Sequence, residues 1–290
     1  MTDITAELVA DLVAEQFPQW AHLTVAPVPR QGWDNRTFRL GEALSVRLPS
    51  GPGYVAAVAK EDRALPLLAA HLPLPIPEPV AVGRPTAAYP HPWSVRRWIG
   101  GDTLLDADRV DRARLAGDLG AVLAALRAVP ATGGPAAGAH SFYRGCHPSA
   151  YADQVQQSLR LLGGTVDVRA CEAVWEQGMR TVWTGPPVWF HGDIAPGNLL
   201  TSGGALAALI DFGTCGVGDP ACDLQIAWTF FTGDDRARFR DAAGLDDGTW
   251  ARARAWTLWK ALIMMSGVSG SDPDGVQAAN LAAVLADPLN

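Results

Sequence analysis

Residues 191–198 read His-Gly-Asp-Ile-Ala-Pro-Gly-Asn, and a short apolar stretch later the chain reads Ile210-Asp211-Phe212-Gly213. No other feature constrains the fold as tightly. Val188-Trp189-Phe190 enters the first string, Asn198-Leu199-Leu200-Thr201 leaves it, Ser202-Gly203-Gly204 is a turn, and Ala205 to Ile210 returns. The pattern predicts a loop followed by a hairpin whose return strand brings a second carboxylate beside the first. Two carboxylates and an amide at this spacing suit phosphoryl transfer, where the protein mostly positions groups and neutralises charge. Asp193 would accept the proton of an attacking hydroxyl, and Asn198 and Asp211 would hold Mg2+ on nucleotide phosphates. Magnesium takes oxygen ligands and keeps several waters, so one carboxylate and one amide oxygen suffice. A plain surface turn also uses Asp and Asn, but does not call for both strings in this order.

His-x-Asp, four residues and Asn resembles the protein-kinase catalytic loop, with Gly192 in place of the usual arginine, and Asp211-Phe212-Gly213 is the metal-binding string of the same enzymes. Residues 188–228 as a whole, including Gly216-Val217-Gly218-Asp219-Pro220-Ala221-Cys222-Asp223-Leu224, resemble the aminoglycoside phosphotransferase family, relatives of protein kinases that phosphorylate antibiotics and other small molecules. The resemblance extends over roughly residues 28–265 and is specific around 188–228. It implies an α+β, two-lobed, protein-kinase-like fold, with a small N-terminal antiparallel-sheet lobe over residues 1–99 and a larger, mainly helical lobe over 100–290. It also implies Mg2+ and ATP as phosphate donor, with GTP possible, and makes Asp193 the base while His191 orients the loop.

A kinase-like small lobe carries a lysine on its third strand, paired with a glutamate on the next helix. Here the strand Ala43–Pro49 carries Arg47, and the candidate partner is Glu61 on a helix beginning at Val55. Arginine grips phosphate bidentately but is not interchangeable with lysine. The pair would contact nucleotide, tie strand to helix as a buried ion pair, or do both. Lys60 is expected to stay solvated rather than reach into the site. Gln31-Gly32-Trp33-Asp34-Asn35-Arg36-Thr37-Phe38 is either a hairpin over the nucleotide, with Asn35 or Thr37 bonding phosphate, or a hairpin with a polar tip. Two strands, Val80–Gly83 and Trp93–Ile99, lie among prolines that suit edges and turns. By the resemblance, 97–101 is the hinge, and backbone groups of Arg97 and Ile99 bond the purine; Trp98 is expected to pack. An N-terminal helix follows from Ile4, Leu8, Val9, Leu12, Val13 and Phe17.

Beyond the hinge, Leu115, Leu119, Val122, Leu123 and Leu126 share one helix face, and helices are expected over 149–163, 167–183 and within 234–285. The net charge of −7 argues against a nucleic-acid partner and suits a cationic substrate. The partners implied are a nucleotide and a small molecule, with the protein a monomer or homodimer. No apolar run spans a bilayer, the first residues do not read as a signal peptide, and the four cysteines fit neither a zinc pattern nor a disulfide framework, so a cytoplasmic protein is expected.

From Asp219 onward ten acidic residues stand against six basic ones. An acidic wall including Asp219, Asp234 and Asp235 would suit an aminoglycoside, ahead of a macrolide or cyclic-peptide antibiotic. A solvated acidic face explains the same count, and Asp219 and Asp223 would then cap a helix near Ala221 and brace the catalytic loop. Two other functions stay open: a metabolic kinase for choline, homoserine or a sugar, and a nucleotide-binding pseudokinase regulator.

Overall fold

Thr5 caps the first helix by accepting from the Leu8 amide at 3.3 Å, and Val9, Leu12 and Val13 give α1 (Ala6–Gln16) one buried face. That face packs with a five-stranded antiparallel sheet. Its strands are β1 (Val25–Pro27), β2 (Asn35–Leu40), β3 (Leu44–Pro49), β4 (Pro79–Gly83) and β5 (Trp93–Arg97), in the order β1-β2-β3-β5-β4. Phe38, Leu40, Val46, Leu48, Tyr89, Trp93 and Val95 complete the core. Between β3 and β4 runs α2 (Val55–Ala69). Pro79 opens an edge strand, where the missing N–H costs no ladder bond.

This computed structural model describes residues 3–32 and 34–287, so Trp33 lies outside it. The chain divides into two compact units: 1–101 with 207–213, and 102–206 with 214–290.

The second unit begins with β6 (Asp102–Thr103) and α3 (Arg112–Ala128), capped by Asp111, whose carboxylate accepts from the Arg114 amide at 3.0 Å. Leu115, Leu119, Val122, Leu123 and Leu126 are buried along α3. Next come α4 (Ala152–Leu162), α5 (Val168–Met179), β7 (Val188–Phe190) and β8 (Leu199–Ser202), which pairs with β6. Gly203 and Gly204, both left-handed at φ 58° and 83°, turn the chain into β9 (Ala205–Leu209), which leads into the 207–213 segment of the first unit. β10 (Gly216–Gly218) pairs with β7, and α6 (Ile226–Thr229), α7 (Gly233–Ala243), α8 (Asp247–Met265) and α9 (Val276–Ala286) complete the unit.

Two expected helices are shorter than their apolar patterns. Residues 148–151 form a 3-10 turn before α4. The helix expected over 167–183 stops at Met179, where the Thr181 hydroxyl donates to the carbonyls of Gly178 and Gly248, and Val182 is left 65% exposed. Pro186 and Pro187 lie just beyond, where helical backbone is disfavoured.

Candidate active site

In the second unit the loop between β7 and β8 is held from below. Asp223 is buried in a 3-10 helix over Pro220–Leu224, and its two carboxylate oxygens accept from the backbone amides of His191 at 2.8 Å and Gly192 at 2.6 Å. Burial raises the Asp223 pKa, opposed by His191, these amides and Arg127. His191 is fully buried; its carbonyl accepts from the Thr214 hydroxyl at 2.9 Å, and its Nδ1 accepts from the Asp193 amide at 3.2 Å. Gly192 sits at φ +88°, where a Cβ would lie 2.7 Å from Thr214 Oγ1. Glycine suits this position: the backbone φ is positive and the space a Cβ would take is already filled.

The scaffold leaves the Asp193 carboxylate exposed. Asn198, in a turn over Pro196–Asn198, donates from Nδ2 to Asp193 Oδ2 at 2.8 Å and to the Asp193 carbonyl at 2.9 Å. With its NH2 engaged twice, the amide turns Oδ1 to the opposite side as an oxygen donor.

In the first unit Arg47 on β3 donates from Nη1 to Glu61 at 3.1 Å and from Nη2 to Asp211 at 2.8 Å. Burial opposes its charge, but Glu61, Asp211 and Asp34 outweigh that and raise its pKa, so it stays a cation. Asp211 itself is left-handed, with φ 67°, in a conformation that Asp tolerates better than most residues. Arg47, Glu61 and Asp211 therefore form one linked set.

Two members of this set were not singled out from the sequence. Arg96, buried on β5, bonds Glu61 as well, and its Nη2 lies 3.8 Å from Asp62. Arg96 and Arg97 are adjacent cations on a strand, where alternation must turn one of them inward, so a signal was present. Lys60 corrects an expectation: it is 5% exposed, not solvated, and its Nζ donates to the Gly213 carbonyl at 2.6 Å.

The remaining candidates scatter. Asn35 is buried at the start of β2, and the Thr37 amide already donates to Gln31 Oε1 at 2.9 Å, so only its hydroxyl remains for phosphate. The Arg97 amide donates to the Glu78 carbonyl at 3.0 Å, which leaves its carbonyl as the group for a base; Trp98 packs under Arg39, 4.2 Å from the ring centre.

Of the two readings of the acidic stretch, the caps and braces describe most of its residues. Asp219 is buried, accepts from the Ala221 amide at 3.0 Å and is ion-paired with Arg252 at 2.6 Å. Asp235 pairs with Arg112 at 3.5 Å, and exposed Asp234 shares the first turn of α7, where a helix dipole favours carboxylates. Asp246 caps α8, Asp247 pairs with Arg240 at 2.7 Å, Asp272 accepts from the amides of Gln277 and Ala278, and Asp287 pairs with Arg236 at 3.5 Å.

Residues 25–256 match the model of the phosphotransferase enzyme family (APH), and the chain belongs to that family. No curated protein matches it. Among solved structures it is similar to the GDP complex of wild-type aminoglycoside 2'-phosphotransferase-IIIa, at 17% identity and TM-score 0.68, covering 97% of both chains. It is also similar to macrolide 2'-phosphotransferase MphH from Brachybacterium faecium, at 22% identity and TM-score 0.61, covering 97% of this chain and 99% of that one. A third is the streptomycin-ATP-APH(2")-IIa ternary complex, at 15% identity and TM-score 0.60, covering 100% and 98%. These likenesses establish the kinase-like fold expected from the sequence.

Proposed function

We propose that this phosphotransferase moves the γ-phosphate of a nucleotide to the hydroxyl of a small molecule, with Asp193 as the base. The carrying observation is the exposed Asp193 carboxylate, oriented by Asn198 on a loop that Asp223 braces through two amides. Asp193 would accept the hydroxyl proton as the oxygen attacks phosphorus, and the loop would fix the angle of attack.

Asn198 Oδ1 and the Asp211 carboxylate are hard oxygen donors that fit magnesium, and we assign it to them. Among the described residues no three or more His, Cys, Asp and Glu side chains group as a metal site, so most remaining ligands would come from phosphate and water. Bound magnesium would neutralise charge on the phosphates. Arg47 would contact phosphate, held by Glu61. The intact Asp193, Asn198 and Asp211 favour an enzyme over a pseudokinase.

The donor is ATP or GTP; nucleotide complexes are named for the similar aminoglycoside enzymes. An antibiotic acceptor is motivated by the aminoglycoside and macrolide enzymes among those neighbours. The acidic stretch adds little to the aminoglycoside option, because most of its acids are bonded within the fold. We place the reaction in the cytoplasm: no described helix is long and apolar enough to cross a membrane, and all four cysteines are free thiols.

The test is nucleotide consumption over a panel of hydroxylated antibiotics and metabolites, comparing wild type with Asp193→Ala. We expect acceptor-dependent turnover that falls about 10²–10⁴-fold in the variant while nucleotide still binds. Equal turnover in both proteins would remove Asp193 from the reaction.

A further inference from the structure

Arg144 is 8% exposed, yet its Nε and Nη1 hydrogen-bond to no group among the described residues. A buried guanidinium ordinarily has a carboxylate or carbonyl partner, because losing water without one is costly. Here it has aromatic rings: its Cζ lies 4.6 Å from the ring centre of Trp259 and 5.1 Å from that of Trp256. Tyr151 stacks on Trp259 at 4.2 Å, and Tyr143 meets Tyr151 edge-on at 6.1 Å. The backbone that presents Arg144 is unusual. Phe142 and Tyr143 are consecutive non-glycine residues with positive φ, 48° and 55°, and Gly145 follows at 79°. Such strain concentrates at binding sites.

A second cation joins the first. Lys260 lies on α8 one turn beyond Trp256, on the same helix face, and interacts electrostatically with both Arg144 and Asp193. Burial and Arg144 push its pKa down, opposed by Asp193. Asp219 and Asp223, which share the surroundings of Cys222 with Arg144, are bonded elsewhere, to Arg252 and to the loop amides. Gly145, next to Arg144, packs on Phe190, the residue that enters the Asp193 loop, so the two cations and the buried rings stand beside that loop, within one unit of the chain.

We propose that Arg144 and Lys260 form an anion subsite beside the Asp193 loop, which holds an acidic group of the phosphoryl acceptor. The acceptor is then a hydroxylated acid rather than a polyamine. This assignment rests on the phosphotransferase reading, and it names the substrate class for that site. A carboxylate would complete the hydrogen bonding that Arg144 lacks, and the rings would exclude water from the pair.

The chain has only two lysines, 60 and 260, which makes the site directly addressable. Pyridoxal 5′-phosphate, an anionic aromatic aldehyde, and its uncharged parent pyridoxal both form imines with amines, trapped by borohydride and mapped by mass spectrometry. In wild type we expect the phosphate ester to label Lys260 about tenfold faster than pyridoxal once each rate is divided by that for free Nα-acetyllysine, which removes the effect of pyridoxal's internal hemiacetal; tenfold is the low end of what one charged hydrogen bond gives. Glucuronate or 4-hydroxyphenylacetate should slow that labelling, while glucose, N-acetylglucosamine and 4-hydroxyphenethyl alcohol should not. Arg144→Met should erase the preference for the phosphate ester; the protection series needs no variant and stands if Arg144→Met does not fold.

Equal labelling by the two aldehydes, or no protection by any acid, overturns the proposal. Protection by magnesium–nucleotide in place of the acids assigns the cations to the transferring phosphoryl group, and overturns the acceptor assignment. None of these outcomes bears on whether Asp193 drives turnover, which the Asp193→Ala comparison reads separately.

Discussion

At the scale of single residues, the first unit stores an electrostatic imbalance in the Arg47–Glu61–Arg96–Asp62 chain. Asp62 Oδ1 is buried with no hydrogen bond, and Arg96 stands 3.8 Å away. Burial, and Glu61 beside it, outweigh the arginines and push the Asp62 pKa up to about 6. An acid whose folded pKa is raised favours the folded state when protonated, so its contribution falls as pH climbs from about 4 to about 6. Asp62→Asn should therefore stabilise the protein at pH 7.5 by up to about 2 kcal/mol and change little at pH 4. Urea melts at the two pH values read the difference; equal shifts at both would show that the carboxylate is not the cause. Lys60 was misjudged from sequence at this scale. A lysine on a helix easily stays solvated, and the turn at Gly213, distant in sequence, supplies a carbonyl to which Lys60 donates.

At the scale of elements, close backbone approach governs two features. The loop after β7 depends on Gly192 and Asp223 together. Gly192→Ala forces a Cβ against Thr214 in left-handed backbone, at about 1–2 kcal/mol for the conformation alone. Asp223→Ala leaves two buried amides unbonded, about 1–3 kcal/mol for each. Both should lower kcat more than they raise the acceptor KM, because they misplace Asp193 rather than remove a binding contact. A KM effect alone would place them in binding. Gly120 on α3 is a purely structural case: a Cβ there would lie 2.5 Å from Ala242 on α7. Gly120→Val should destabilise by about 1–3 kcal/mol, visible in thermal melts, and leave the kinetics of the folded fraction unchanged.

At the scale of the whole molecule, donor binding is expected to be a stability effect that metal controls. A nucleotide at about 100 times its Kd should raise stability by about 2.7 kcal/mol, and the part that needs magnesium should vanish in Asp211→Asn. Thermal shift with and without chelator measures it; a metal-independent response in wild type would take Asp211 out of the metal site. The acidic surplus of this chain also belongs to this scale. Ten acids against six bases from Asp219 onward suggested a cation-binding wall, but a count of charges carries no direction. Asp219, Asp235, Asp247 and Asp287 each meet an arginine, and Asp246 and Asp272 bond backbone amides at helix starts.

Local pattern alone determined the family, the hairpin that follows Asn198 and the buried face of α3. Those depend on residues near one another in the chain, where periodicity and turn chemistry act directly. Tertiary structure decided what the charged side chains do. Arg96 joining Glu61, Arg252 taking Asp219, and Arg144 lying over two tryptophans all join residues tens of positions apart or more. A long cationic side chain can turn to solvent or to any partner within several ångströms, and sequence spacing does not record which partner packing brings there.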